Sequence, residues 1–146
     1  MIPVAGWAAD PNALAEFLDE PNLCRLATID VTGWPHVVPA WYHWDGQRFL
    51  IGSQADDHKV GNLHRDQRAS VEIDGDLRRK RGILARGRAV LMEGPSGRAE
   101  YERISALQIR RYQPDRPPLE TAQRMASKGE PVVIAVTPDS IVSWGR

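Results

Sequence analysis

The residues with the most chemical reach lie in LIGSQADDHKVGNLHRD, Leu50 to Asp66. An apolar strand ends there in Gly52 and Ser53. The acidic pair Asp56-Asp57 follows, then His58 and Lys59 open a basic helical stretch. These residue types suit an anion. A helix start presents unpaired N–H groups and a positive dipole end. Glycine lets a backbone approach a ligand closely, and a lysine adds a point charge. Asp56 and Asp57 oppose that reading, because carboxylates repel a phosphate, so they must point outward or cap the helix. The plain alternative is a capped surface helix with a solvated Lys59.

Other chemistry is sparse. The histidines His36, His43, His58 and His64 have no metal-ligand spacing. No Gly-x-Ser-x-Gly elbow or other nucleophile signature occurs. The one cysteine, Cys24, excludes an internal disulfide and a cysteine metal cluster. Alternation places Arg86 and Arg88 on one face of a strand, where solvent, a partner or a ligand must meet them. Arg78-Arg79-Lys80-Arg81 is the strongest charge run; its plain reading is a solvated turn.

The elements that must position these residues are mostly strands. Asp10 as N-cap and Pro11 at N1 open a first helix, with Leu14, Phe17 and Leu18 on one face. Leu23–Ile29 reads as a strand, Asp30–Gly33 as a turn, and Trp34–Trp44 as a second strand. Pro35 and Pro39 make that strand irregular or bulged. Asp45-Gly46 is a hairpin signal, and Gln47–Gly52 returns as a third strand. A short helix over Asp56–Arg65 turns Val60 and Leu63 to the core. Arg68–Asp74 alternates with Ala69, Val71 and Ile73 on one face, and Ile83–Met92 is a fifth strand. Gly94-Pro95-Ser96-Gly97 breaks the chain. A helix over Arg98–Tyr112 carries Tyr101, Ile104 and Leu107 on one side. Pro114–Pro118 is a loop and Leu119–Lys128 a further helix. Pro131–Val136 is the last strand, continued after Thr137-Pro138-Asp139 by Ser140–Trp144.

Strands in hairpin order with short helices between them predict a mainly β, α+β fold, an antiparallel barrel with peripheral helices. A length of 146 residues suits one domain. Lys and Arg number 19 and Asp and Glu 19, so no global charge favours nucleic acid. No apolar run reaches membrane-helix length, and the N-terminus lacks signal-peptide character. A cytoplasmic protein with no nucleic-acid or membrane partner is the simplest expectation.

The ordered set LATID, TG, WPHVVPAWYHW, DG, QRFLIGS, HKVGNLHRDQRASVEI, GRAVL and VVIAVTPDSIVSW resembles the pyridoxamine 5'-phosphate oxidase-like split-barrel family of FMN- and deazaflavin-binding proteins. The resemblance covers about Asp10 to Trp144. It implies a split antiparallel β-barrel and a homodimer with two cofactor sites at the subunit interface. It also implies an oxidoreductase moving hydride or electrons to a small organic substrate. By this resemblance, Gly52, Ser53, His58, Lys59 and Asn62 hold the cofactor phosphate. Val38, Pro39, Ala40 and Trp41 run beside the ring, and Trp144 covers it from the partner. The deazaflavin cofactor has an anionic tail, which the Arg78–Arg81 run would suit. Catalytic side chains stay unassigned, since the ring itself carries out the transfer. In Val142-Ser143-Trp144 no arginine precedes the tryptophan, so vitamin B6 oxidation is not expected. A non-enzymatic FMN-, deazaflavin- or heme-binding protein is the alternative.

Overall fold

A computed structural model describes residues 2–75 and 77–145; Met1, Asp76 and Arg146 lie outside the described residues. In order, the elements are β1 (Val4–Ala5), a 3-10 turn (Gly6–Ala9), α1 (Pro11–Asp19), β2 (Cys24–Ile29), β3 (Pro35–Ala40), β4 (His43–Trp44), β5 (Phe49–Gln54), α2 (His58–Arg65), β6 (Arg68–Asp74), β7 (Gly82–Met92), α3 (Gly94–Tyr112), α4 (Pro118–Ala126) and β8 (Pro131–Trp144). The strands join in one sheet, ordered β3-β2-β6-β7-β8-β5-β4, with β1 added parallel to β8. All its other pairings are antiparallel. The sheet curls into a split barrel with helices around it, the expected class.

The core follows from strand parity. Ala69, Val71 and Ile73 of β6 turn inward, as their alternation requires, to meet Leu26, Ile83 and Ile134. β5 and the first half of β8 read as unbroken apolar runs because both of their faces are covered. Phe49, Ile51, Val132 and Ile134 face the barrel interior. Leu50, Val133 and Ala135 face Tyr101 and Ile104 of α3. Asp10 caps α1 by accepting the Asn12 N–H at 2.9 Å, with Pro11 in the first turn.

Several boundaries differ from the sequence expectation. The Trp34–Trp44 strand is two, β3 and β4, parted at Trp41-Tyr42. β3 is not bulged at its prolines. It pairs with β2 residue for residue from Cys24↔Ala40 to Ile29↔Pro35. It tolerates them because it is an edge strand, and Pro35 and Pro39 share the parity whose N–H would point away from β2. Gly94–Gly97 does not break the chain but forms the first turn of α3, where proline costs no hydrogen bond. Leu107 is only half-buried on α3, and Ile109 lies in its core face instead. β8 runs unbroken through Thr137-Pro138-Asp139. A bulge there absorbs the irregularity. Arg86 faces Ser140 while Gly87 faces Pro138, so Asp139 is the extra residue. No helix among the described residues is long and apolar enough to cross a membrane.

Candidate functional site

β5 delivers Ser53 to the end of the barrel, and α2 starts five residues later beside it. The Ser53 hydroxyl donates to Asp57 Oδ2 at 2.5 Å. The Gln54 N–H donates to the same oxygen at 2.9 Å, and Lys59 Nζ lies 3.3 Å from it. Asp57 is thus neither turned outward nor bonded to the helix as a cap, the two arrangements the sequence reading allowed. It occupies the N-cap position of α2, but its carboxylate makes no cap bond to the helix and folds back over the strand end. Burial opposes its ionisation. The Ser53 hydroxyl, the Gln54 N–H and the Lys59 ammonium outweigh that and hold its carboxyl below the ordinary range. Asp56 is exposed, as expected.

The wall opposite this cradle is β3. The ring of His36 on β3 stacks on His58, the first residue of α2, with centroids 4.5 Å apart and planes at 24°. His36 Nδ1 is buried and has no hydrogen-bond partner. His36 opens the segment expected beside the ring but was not itself among the residues singled out. Its signal was parity, which sets it on the same face of β3 as Val38 and Ala40. His43 sits apart in β4, and His64 pairs with Glu93 at 3.1 Å. No group of three or more metal-ligand side chains occurs among the described residues.

Other expected site residues have structural partners. Asn62 is fully buried. Its Nδ2 donates to Thr28 Oγ1 at 3.0 Å and its Oδ1 accepts from Arg65 at 2.7 Å. Gly52 faces α3, not the cradle. A side-chain carbon there would lie 2.9 Å from the Tyr101 ring, so its bareness serves helix packing. Val38 and Ala40 are half-buried on the His36 face of β3, and Pro39 is exposed on the other. Trp41 lies past the strand end. It stacks on Tyr112 of α3 at 5.0 Å and packs with Ile109 and Ala122.

Trp144 ends β8 far from its own chain's Ser53. Ser53 pairs with Val132, twelve residues earlier on that strand, a path of roughly 40 Å. The basic run lies at Trp144's end of the sheet. Arg81 is not a solvated residue, since its guanidinium stacks 4.0 Å from the Trp7 ring centroid. Arg86 and Arg88 are exposed on the outer sheet face. With Arg68, Ser70, Ile29 and Pro35 they line a cleft of about 380 Å³.

A single antiparallel sheet curled into a barrel with helices around it defines the split-barrel class. The chain belongs to the family described as pyridoxamine 5'-phosphate oxidase, whose model matches residues 11–145. Among curated proteins none matches the chain. Among solved structures, a conserved hypothetical protein of Mycobacterium tuberculosis is 27% identical, with TM-score 0.78, over 92% of this chain and 83% of that one. An F420 reductase is 25% identical, with TM-score 0.67, over 86% and 93%. A pyridoxamine 5'-phosphate oxidase-related, FMN-binding protein of Nostoc punctiforme shares the fold at 11% identity and TM-score 0.67, over 92% and 82%.

Proposed function

We propose that the chain binds a flavin or deazaflavin cofactor between two copies of itself and serves as an oxidoreductase for a small organic substrate. The His36–His58 stack carries the reading. It joins edge strand β3 to the start of α2, so one continuous wall offers a phosphate cradle and a free backbone edge. The residues present fit such a group. Lys59 supplies charge, His36 Nδ1 is a buried polar atom lacking a partner, and the outward edge of β3 keeps the Val37 N–H and neighbouring carbonyls unpaired. When bound, the cofactor ring supplies the hydride or electron transfer. The chain's own part is to hold the phosphate through Lys59 and His58, and the ring edge along β3.

A second copy completes the site. Trp144 cannot reach its own cradle along β8, so it serves the partner's. α3 covers the first half of β8, but the outer face from β3 through β2, β6 and the start of β7 to the end of β8 exposes Val37 at 58% and Trp144 at 40%, with Trp34 at 72% in the turn before β3. A face of this kind on a folded chain marks an association surface. The test is sedimentation of the purified protein with fluorescence titration by FMN and by the deazaflavin cofactor. A dimer that binds one of them and turns it over with an acceptor supports the reading. A dimer that binds without turnover points to a sequestering protein. A monomer, or no binding, removes the interface site.

A further inference from the structure

The cradle already holds an anion of its own. Ser53, Gln54 and Lys59 all direct donors at one Asp57 oxygen. A serine hydroxyl has one proton to donate, and Ser53 gives it to Asp57. Lys59 has three N–H donors and spends one. What remains for a ligand is the rest of the Lys59 ammonium and the backbone N–H groups of His58 and Lys59. These open the helix and have no intrahelical acceptor. The local charge of Lys59 and Asp57 sums to zero, and Asp56 adds a negative charge at the surface. The stacked imidazoles of His36 and His58 lie at the helix start, and the Asp30 carboxylate interacts with His58.

A phosphate monoester carries a charge of about −1.5 to −2 at neutral pH, whereas a phosphodiester carries one negative charge. Resting on the proposed cofactor reading, we infer that Asp57 makes this cradle selective for a phosphodiester, the linkage of a deazaflavin cofactor, over the monoester of FMN. The carboxylate takes the place of the second phosphate charge. It neutralises Lys59 and orients its ammonium, and it withdraws the Ser53 proton that a dianion would need. A monoanionic diester meets the remaining donors without bringing a second negative charge against Asp57.

The test separates phosphate charge from ring type. Four ligands are titrated into the full-length protein at pH 7.5. The flavin and deazaflavin rings each carry either a 5'-phosphomonoester or a phosphodiester: FMN, its methyl phosphodiester, the deazaflavin 5'-phosphate and its methyl phosphodiester. On whichever ring binds, the diester is expected to bind at least about tenfold tighter, a difference of ~1.4 kcal/mol. Asp57→Asn keeps the shape and an acceptor for Ser53. It is expected to close most of that gap by strengthening the monoester. Equal affinities in the wild type, or tighter monoester binding, overturn this inference and leave the cofactor site standing. An unchanged ratio in Asp57→Asn also overturns it. Failure of all four ligands to bind overturns the cofactor reading itself.

Discussion

Asn62 Nδ2 donates to Thr28 Oγ1 at 3.0 Å, and both side chains are buried. This bond ties α2 to β2. With Arg65 on its carbonyl oxygen and the side chain fully buried, the amide is closed to a ligand. Removing a buried partner leaves the other group unsatisfied, at about 1–3 kcal/mol. Asn62→Ala is therefore expected to lower stability by that amount in urea unfolding, and to leave cofactor affinity little changed under conditions where the variant is folded. A large affinity loss at full stability would return Asn62 to the ligand.

The sequence made some of this legible and hid the rest for physical reasons. The parity of Ala69, Val71 and Ile73 is a direct readout of a sheet with one face buried, and it placed β6 correctly. The start of α3 was hidden because Gly94, Pro95 and Gly97 are breakers in isolation. In place, Pro95 sits where a helix lacks N–H acceptors, and Gly97 is bare because the Met92 carbonyl packs where a side chain would go. That Ser53 and Lys59 meet at the end of β5 was legible. The direction of Asp57 was not. A capping aspartate and one that folds back over a strand end have the same sequence, and only the three donors around it decide. His36 was not singled out because its partner, His58, is twenty-two residues away in the chain.

Gly87 lies opposite the β8 bulge, where an added side-chain carbon would meet the Thr137 carbonyl oxygen at 2.0 Å. Backbone atoms on the neighbouring strand cannot swing aside as a flexible side chain does. Overpacking of this kind costs typically about 1–3 kcal/mol, and Gly87→Ala is expected at the upper end. Chemical unfolding should show a lower midpoint with an unchanged slope. An unshifted midpoint would mean that the bulge can open without cost.

Lys59 is the charged group of the proposed phosphate cradle. Hydrogen bonds to charged groups contribute about 1.5–3 kcal/mol, so Lys59→Ala should weaken a phosphate-bearing cofactor by roughly 10- to 100-fold. The same cofactor without its phosphate should bind both proteins alike. If the dephosphorylated ligand loses as much, Lys59 acts on the ring or on the fold, not on the phosphate.

Cys24 sits at the start of β2 with no exposed surface. Burial pushes its thiol up to about 12, against small opposing effects from its backbone hydrogen bonds and Arg25. A thiolate is the reactive form, so the native protein should resist alkylation at pH 8 and react fully once denatured. Mass spectrometry of iodoacetamide-treated samples reads this directly. Fast native labelling would show that the β2 end of the barrel opens.

The Asp57 carboxyl is held below its ordinary range in the folded chain. A carboxyl depressed by folding stabilises the fold at pH values above its unfolded pKa, about 3.9. That contribution is lost as pH falls from there through the lower folded value. Wild-type melting temperature should thus drop as pH is lowered from 5 toward 3. Asp57→Asn cannot titrate. It should start less stable at pH 7, because the Lys59 pairing and the charged acceptor for Ser53 are gone, and then lose less on acidification. The difference between the two melting curves should shrink steadily below about pH 4. A constant difference down to pH 3 would mean that the carboxylate contributes the same in both states, and that its hold on Ser53 and Lys59 is weaker than the short contacts imply.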